Sequence, residues 1–195
     1  MSDQYRSPDN GRFEPGDVVL TEGPVLLRLV DSGDVDAITA ACQDPDLQRY
    51  IPVPRPYQRT DAEEYVDRAL ELWRSGRKHV FTVLDAHDTS EFLGVISITV
   101  AGRTGNAAYW LAPSARGRGA AGAALRALAR WAFEERDLAV ILLEIHDSNE
   151  SSKRVALSAG FHQAGSVEVN TEDGPRGALL FVRLASDRPL LPRPR

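Results

Sequence analysis

The residues best suited to chemistry lie in Arg116-Gly117-Arg118-Gly119-Ala120-Ala121, where an apolar segment ending at Ala112-Pro113 passes through a glycine turn into an alanine-rich stretch of high helical propensity. The first turn of any helix leaves backbone N–H groups without intrahelical partners, and the peptide dipoles make that end positive. Glycine removes the side-chain bulk that would hold a phosphate away from those groups. Ala120, Ala121, Gly122, Ala123 and Ala124 keep the helix start uncluttered, and Arg116 and Arg118 add positive charge beside it. Such a turn can cradle a pyrophosphate. Small residues here would equally serve close contact between a helix and a sheet, and the spacing alone does not separate the two. No Gly-Lys-Ser/Thr follows, so the turn is not a Walker loop. The next strand does not end in the acid that a ribose-binding dinucleotide fold requires.

A second polar set follows one strand later: Asn149-Glu150-Ser151-Ser152, then Arg154-Val155-Ala156 and Ala159-Gly160-Phe161. Asn149 is a good helix N-cap, and its amide also offers a donor and an acceptor to an amide-bearing ligand. The pattern Arg116-x-x-Gly119-x-Ala121, preceded by Tyr109-Trp110-Leu111-Ala112-Pro113, resembles the acetyl-CoA loop of the GNAT N-acetyltransferases. The Asn149-x-x-Ser152 helix ending in Gly160-Phe161 is similar to the second motif of their Rim-type branch, which acts on protein N-termini and related amines. The resemblance spans roughly residues 24–184 and is strongest over 107–161.

That resemblance implies an α/β fold with a mixed sheet splayed between its fourth and fifth strands, and acetyl-CoA as cosubstrate lying in the gap. The pantetheine arm is then expected against main-chain groups near Trp110 and Leu111. The pyrophosphate is expected on Arg116, Gly117, Arg118, Gly119, Ala120, Ala121 and Gly122, with Asn149 and Ser152 completing the cofactor site. The implied reaction is direct attack of a neutral primary amine, on a peptide N-terminus or a small molecule, at the thioester carbonyl in a ternary complex. A backbone N–H near Leu111 is the natural oxyanion donor. No tyrosine occurs between Asn149 and Gly160, and Ser152 matches the position to which the branch assigns protonation of the departing sulfur. A helix-start serine bonded to its own backbone is the plain alternative. Glu168 is the candidate base, with Glu144 and His146 also in view, each otherwise a solvated or structural side chain. An N-terminal α-amine has a pKa of about 8, so a dedicated base is not required. A homodimer is expected from the family alone. Two alternatives stay open: a catalytically silent CoA-binding or interaction domain of the same fold, and a nucleotide-binding protein built on the glycine turn.

These residues need a scaffold, and hydrophobic periodicity supplies one. Strands are expected over 25–30, 79–84, 92–100, 107–112, 139–146, 161–170 and 178–184, the fifth hydrophobic on both faces. Helices are expected from Asp34, ending at Asp44-Pro45; from Thr60 or Asp61 with Tyr65, Ala69, Leu72 and Trp73 inward; from about Gly117 to Arg136; and from Asn149 to Ser158 with Gly160 past its end. The segment Arg49 to Tyr57, with Pro52, Pro54 and Pro56, is expected to be extended. It falls where the family places a variable lid over the acceptor, or it is a rigid connector. The unit from 107 to 146 requires a parallel pair, whereas the hairpins are antiparallel. Residues 1–22 read as a flexible lead-in, 23–185 as the domain and 186–195 as a Pro/Arg tail.

Composition bounds the answer. A chain of 195 residues suits one α/β domain, and a net charge of -5 gives no support to general nucleic-acid binding. The one cysteine, Cys42, excludes an intrachain disulfide framework and any multi-cysteine metal site, and no metal is expected. No apolar run approaches the roughly 20 residues that cross a bilayer, so no membrane partner and a cytoplasmic location are expected.

Overall fold

The computed structural model describes residues 18–171 and 174–187. Eight strands form one sheet: β1 (Val19–Glu22), β2 (Val25–Leu29), β3 (Lys78–Asp85), β4 (Phe92–Ala101), β5 (Thr104–Leu111), β6 (Val140–His146), β7 (His162–Thr171) and β8 (Gly174–Leu184). Their spatial order is β1-β2-β3-β4-β5-β6-β8-β7, and β5–β6 is the parallel pair. Five helices cover it: α1 (Val35–Ala41), α2 (Pro45–Tyr50), α3 (Arg59–Arg74), α4 (Ala120–Glu134) and α5 (Glu150–Ser158). Strand alternation divides the core. Phe81, Val83, Ile96 and Ile98 face α4, whereas Val80 and Val95 turn to α1 and α3. No helix among the described residues is long and apolar enough to cross a membrane.

Two elements escaped the periodicity. β1 lies inside the stretch read as a lead-in, pairs with β2 and packs under α4; four residues are too few for alternation to show. Asp44-Pro45, read as a helix stop, is a helix start. Asp44 caps α2 through a bond from the Asp46 N–H, and Pro45 takes the first helical position, where its missing N–H costs nothing. α3 is capped by Gln58, whose N–H donates to Asp61 at 2.6 Å, rather than by Thr60 or Asp61. Asp34 precedes α1 but does not cap it. Its buried carboxylate accepts two bonds from Arg28 (2.9 and 2.8 Å) and one from Thr82 (2.6 Å), tying β2 to β3.

β5 and β6 pair only at Thr104↔Val140, Gly105↔Ile141 and Asn106↔Leu142. Beyond those pairs β5 continues with β4 and β6 with β8, so the sheet forks. Gly94 shapes the β4 side of the fork. At φ 152°, a Cβ there would stand 2.2 Å from the Trp110 carbonyl oxygen and 2.8 Å from the Leu111 Cα, so any side chain would push the end of β5 away. On β6, Ile141, Leu143 and Ile145 are buried, but Glu144 is exposed and His146 only half-buried. The second face of this strand is therefore open near the fork, contrary to the two-sided cover its apolar run suggested.

At the far end, His79 is buried between Trp73 (4.6 Å between centroids) and Trp131 (5.1 Å), and neither ring nitrogen has a hydrogen-bond partner among the described residues. Burial, assisted by Arg136, lowers its pKa to about 4 from an ordinary 6.5. The unfolded chain therefore binds a proton here that the folded chain refuses between those values. Stability from His79 is intact above pH 6.5 and is lost as the pH falls toward 4, up to about 3 kcal/mol. A His79→Phe variant is expected to show a flatter decline of unfolding free energy over this window than the parent in denaturant titrations. Equal slopes would contradict a neutral buried imidazole.

Candidate functional site

The fork opens into a cleft of about 830 Å³ bounded by the end of β5, the glycine turn, the starts of α4 and α5, and α2. Ala112 donates its N–H to the Leu93 carbonyl. Because backbone groups alternate in direction along an antiparallel strand, Trp110 turns its own toward β4, while Tyr109 and Leu111 present theirs to the fork. Side chains alternate as well: Tyr109 and Leu111 pack on the α4 side, and Trp110 turns to the other face beside Phe92.

The glycine turn divides the two explanations for its small residues. Gly119 is the N-cap of α4 in the left-handed region (φ 78°), and no side chain among the described residues caps the first turn. A Cβ at Gly117 or Gly119 would meet nothing within 4 Å, so the surface in front of that helix start is open. Gly122 serves close contact instead, since its Cβ would stand 3.1 Å from Ser158 Oγ where α4 meets α5. Ala120, Ala121, Ala123 and Ala124 are buried beneath. The helix begins at Ala120, not Gly117, because both glycines adopt positive φ.

The arginines depart from expectation. Arg116 lines the cleft, but its guanidinium pairs with Asp44 and lies 3.7 Å from Asp46. Burial pushes the Asp44 carboxyl up, yet bonds from Arg116 and the α2 backbone outweigh it and hold its pKa below the ordinary value. Arg118 is not among the lining residues; it points to Asp85 (3.1 Å) and Glu91. Arg126 and Arg154, which glycine spacing could not reveal, line the cleft. Arg126 pairs with Glu22 at 3.3 Å, and Arg154 has no ion pair or hydrogen bond among the described residues. Their spacing along two amphipathic helices was the available signal.

Asn149 does cap α5: its Oδ1 accepts from the Ser152 N–H (3.0 Å) and the Ser151 hydroxyl (2.8 Å). Its amide NH₂ donates to no group among the described residues and lies at the cleft. Ser152 does not bond back to its helix. Its Oγ lies 2.7 Å from the Tyr109 hydroxyl. Burial pushes the Tyr109 phenol up to about 12, against a smaller opposing effect of that hydrogen bond.

Glu168 is not among the residues that line the cleft. It is exposed on β7, the sheet edge, with β8 between it and β6. Val167 pairs with Ala178 and Ala178 with His146, so Glu168 faces the opposite side of the sheet from His146. Glu144 accepts from the Asn106 amide at 3.1 Å across the root of the fork. The Nδ1 of His146 accepts from the Ser148 N–H (3.2 Å), and its ring leans on Tyr50 (5.9 Å between centroids). Of the proline-rich segment only Tyr50 and Ile51 reach the cleft; Tyr57 is buried beside Cys42 in the helical layer, so the two tyrosines do not form one wall.

Residues 25–162 match the family model described as an acetyltransferase (GNAT) domain. Among solved structures, RimJ of Mycobacterium smegmatis, in complex with CoA-disulfide, is 23% identical with a TM-score of 0.77, covering 88% of this chain and 88% of that one. A ribosomal-protein-alanine acetyltransferase from Vibrio fischeri is 20% identical with a TM-score of 0.76, covering 89% and 100%. An aminoglycoside acetyltransferase bound to coenzyme A and kanamycin is 21% identical with a TM-score of 0.68, covering 84% and 96%. At these identities the likeness is one of fold. No curated protein matches the sequence.

Proposed function

This chain belongs to the GNAT acetyltransferase family and is an acetyl-CoA-dependent N-acetyltransferase, and we propose that its forked strands and the start of α4 hold the acetyl donor while a primary amine reaches it from the open face. The observation that carries this reading is the fork itself. Peptide groups of Tyr109 and Leu111 lack a partner strand there among the described residues, and the amides of a pantetheine arm match them. Gly117, Gly119 and the uncapped first turn of α4, from Ala120 to Gly122, suit a pyrophosphate. Arg126 and Arg154 supply positive charge to the same cleft, and Arg116 joins them if its pair with Asp44 yields; Arg118 serves to anchor the turn. The Asn149 NH₂ is free to meet a carbonyl of the arm.

Acetyl-CoA, when bound, supplies an acetyl carbon activated as a thioester. The Leu111 N–H is turned to receive the oxyanion that forms as the amine nitrogen bonds to that carbon. Ser152 hands its proton to the sulfur as the C–S bond breaks, and the amine's surplus proton leaves to solvent. The acceptor we favour is a protein N-terminal α-amine, because its pKa of about 8 leaves a neutral fraction at pH 7 without a dedicated base. Glu168 has no part in this reading, given its place on the outer strand. The same reading puts the enzyme in the cytoplasm, with newly made proteins and acetyl-CoA.

Two measurements test it. Free-thiol release from acetyl-CoA over a panel of N-terminal peptides and small amines is expected to show turnover with peptides; no turnover with any amine would favour a silent CoA-binding domain. Gly119→Asp is expected to weaken CoA binding by at least about tenfold in calorimetry, with Gly119→Ala as the control for backbone strain alone. Normal binding by the aspartate variant would refute the pyrophosphate seat.

A further inference from the structure

α5 carries three serines, and the hydroxyls of two of them stay local. Ser151 donates to Asn149 Oδ1 at 2.8 Å, and Ser158 donates to the Val155 carbonyl at 2.8 Å. Both contacts are what serine ordinarily does in a helix. Ser152 instead reaches across to another element 43 residues away, with its Oγ 2.7 Å from the Tyr109 hydroxyl. That hydroxyl also lies 3.4 Å from the Ser152 carbonyl oxygen, so it is held against one residue by two contacts. The phenol ring is packed against the core under α4 and α5, and its polar end emerges at the wall of the cleft that Ser152 also lines.

This pairing matters because serine alone is a poor proton donor. If its Oγ loses a proton to a thiolate, an alkoxide results unless a neighbour returns a proton in the same motion. Tyr109 O–H is the group placed to do that. We propose that Tyr109 is a positioning residue for the transfer step: it fixes the Ser152 hydroxyl toward the cleft and replaces its proton as the sulfur takes one.

The inference rests on the reading of Ser152 as the donor to sulfur. As the C–S bond breaks, the Ser152 proton goes to sulfur and the Tyr109 proton goes to Ser152. Tyr109 then regains a proton from solvent, which has received one from the amine nitrogen. Nothing is oxidised or reduced, and the products are the amide and the free thiol. Burial, which keeps the phenol protonated well past neutrality, holds Tyr109 in its donating form at working pH.

The test uses the full chain with acetyl-CoA and whichever amine gives turnover. Tyr109→Phe keeps the ring and removes only the hydroxyl. It is expected to lower kcat by about tenfold or more while the KM for acetyl-CoA stays within about twofold, the split of an interaction used in the transition state. Ser152→Ala is expected to lose at least as much, and Ser152→Thr, which keeps a hydroxyl, to recover much of it. The double variant Tyr109→Phe with Ser152→Ala is expected to be no slower than Ser152→Ala alone, because the two hydroxyls act as one unit. Full kcat in Tyr109→Phe, or independent losses that multiply in the double variant, would overturn the role of Tyr109 and leave that of Ser152 standing. Full kcat in Ser152→Ala would overturn the reading beneath it.

Discussion

Peptide groups cannot be left unpaired inside a fold without a substitute partner, and the rest of this structure is arranged around one place where they are. After three residue pairs, β5 and β6 separate, and among the described residues each keeps a neighbour on its outer side only. The separation needs a strand end that can bend away, which the bare backbone of Gly94 permits against Trp110 and Leu111. The gap it leaves has two sides. α4 and α5 close one, joined through the narrow crossing of Gly122 on Ser158. The other stays open past Glu144 and His146. One half of the cleft thus suits a long, amide-rich, anionic ligand, and the other leaves room for approach from solvent.

Charge around the cleft is arranged less simply than two arginines beside a glycine turn would imply. Arg118 holds the turn to the β3–β4 connection through Asp85 and Glu91, and Arg116 holds it to α2 through Asp44. Ion pairs thus orient the turn and occupy both of its arginines, so in the proposed reading the attraction for an anion falls to backbone N–H groups and to Arg126 and Arg154 on the helices behind. α2 is held on both flanks, by Asp44 on Arg116 and by Tyr50 on His146, so six residues bridge the open end of the fork.

Much of this was legible in the residues alone. The alanine-rich helix, the apolar fifth expected strand and the two motifs flanking it carried enough regular spacing to place the glycine turn, Asn149 and Ser152 on the elements that hold them. β1 and α2 were not legible, because a strand of four residues and a helix of six lie below the length at which periodicity speaks, and because Asp44-Pro45 marks a helix start as readily as an end. The partners of Arg116 and Arg118 lie 72 and 27 to 33 residues away, and such distances leave no trace in local pattern. The position of Glu168 could not be read without the strand order. Placing β8 between β6 and β7 moved it to the outer edge. The contact between Tyr109 and Ser152 likewise depends on how a strand and a helix are stacked, not on either sequence.

The aromatic cluster at the far end of the sheet gives the molecule an optical property. The chain has three tryptophans, and two of them, Trp73 and Trp131, are sealed with His79 in the core away from the cleft. The third, Trp110, is half-buried on the cleft wall beside Phe92. Intrinsic emission therefore divides by location. A steady background reports the integrity of the helical layers, and the one component open to solvent and ligand comes from the strand whose unpaired edge forms the fork.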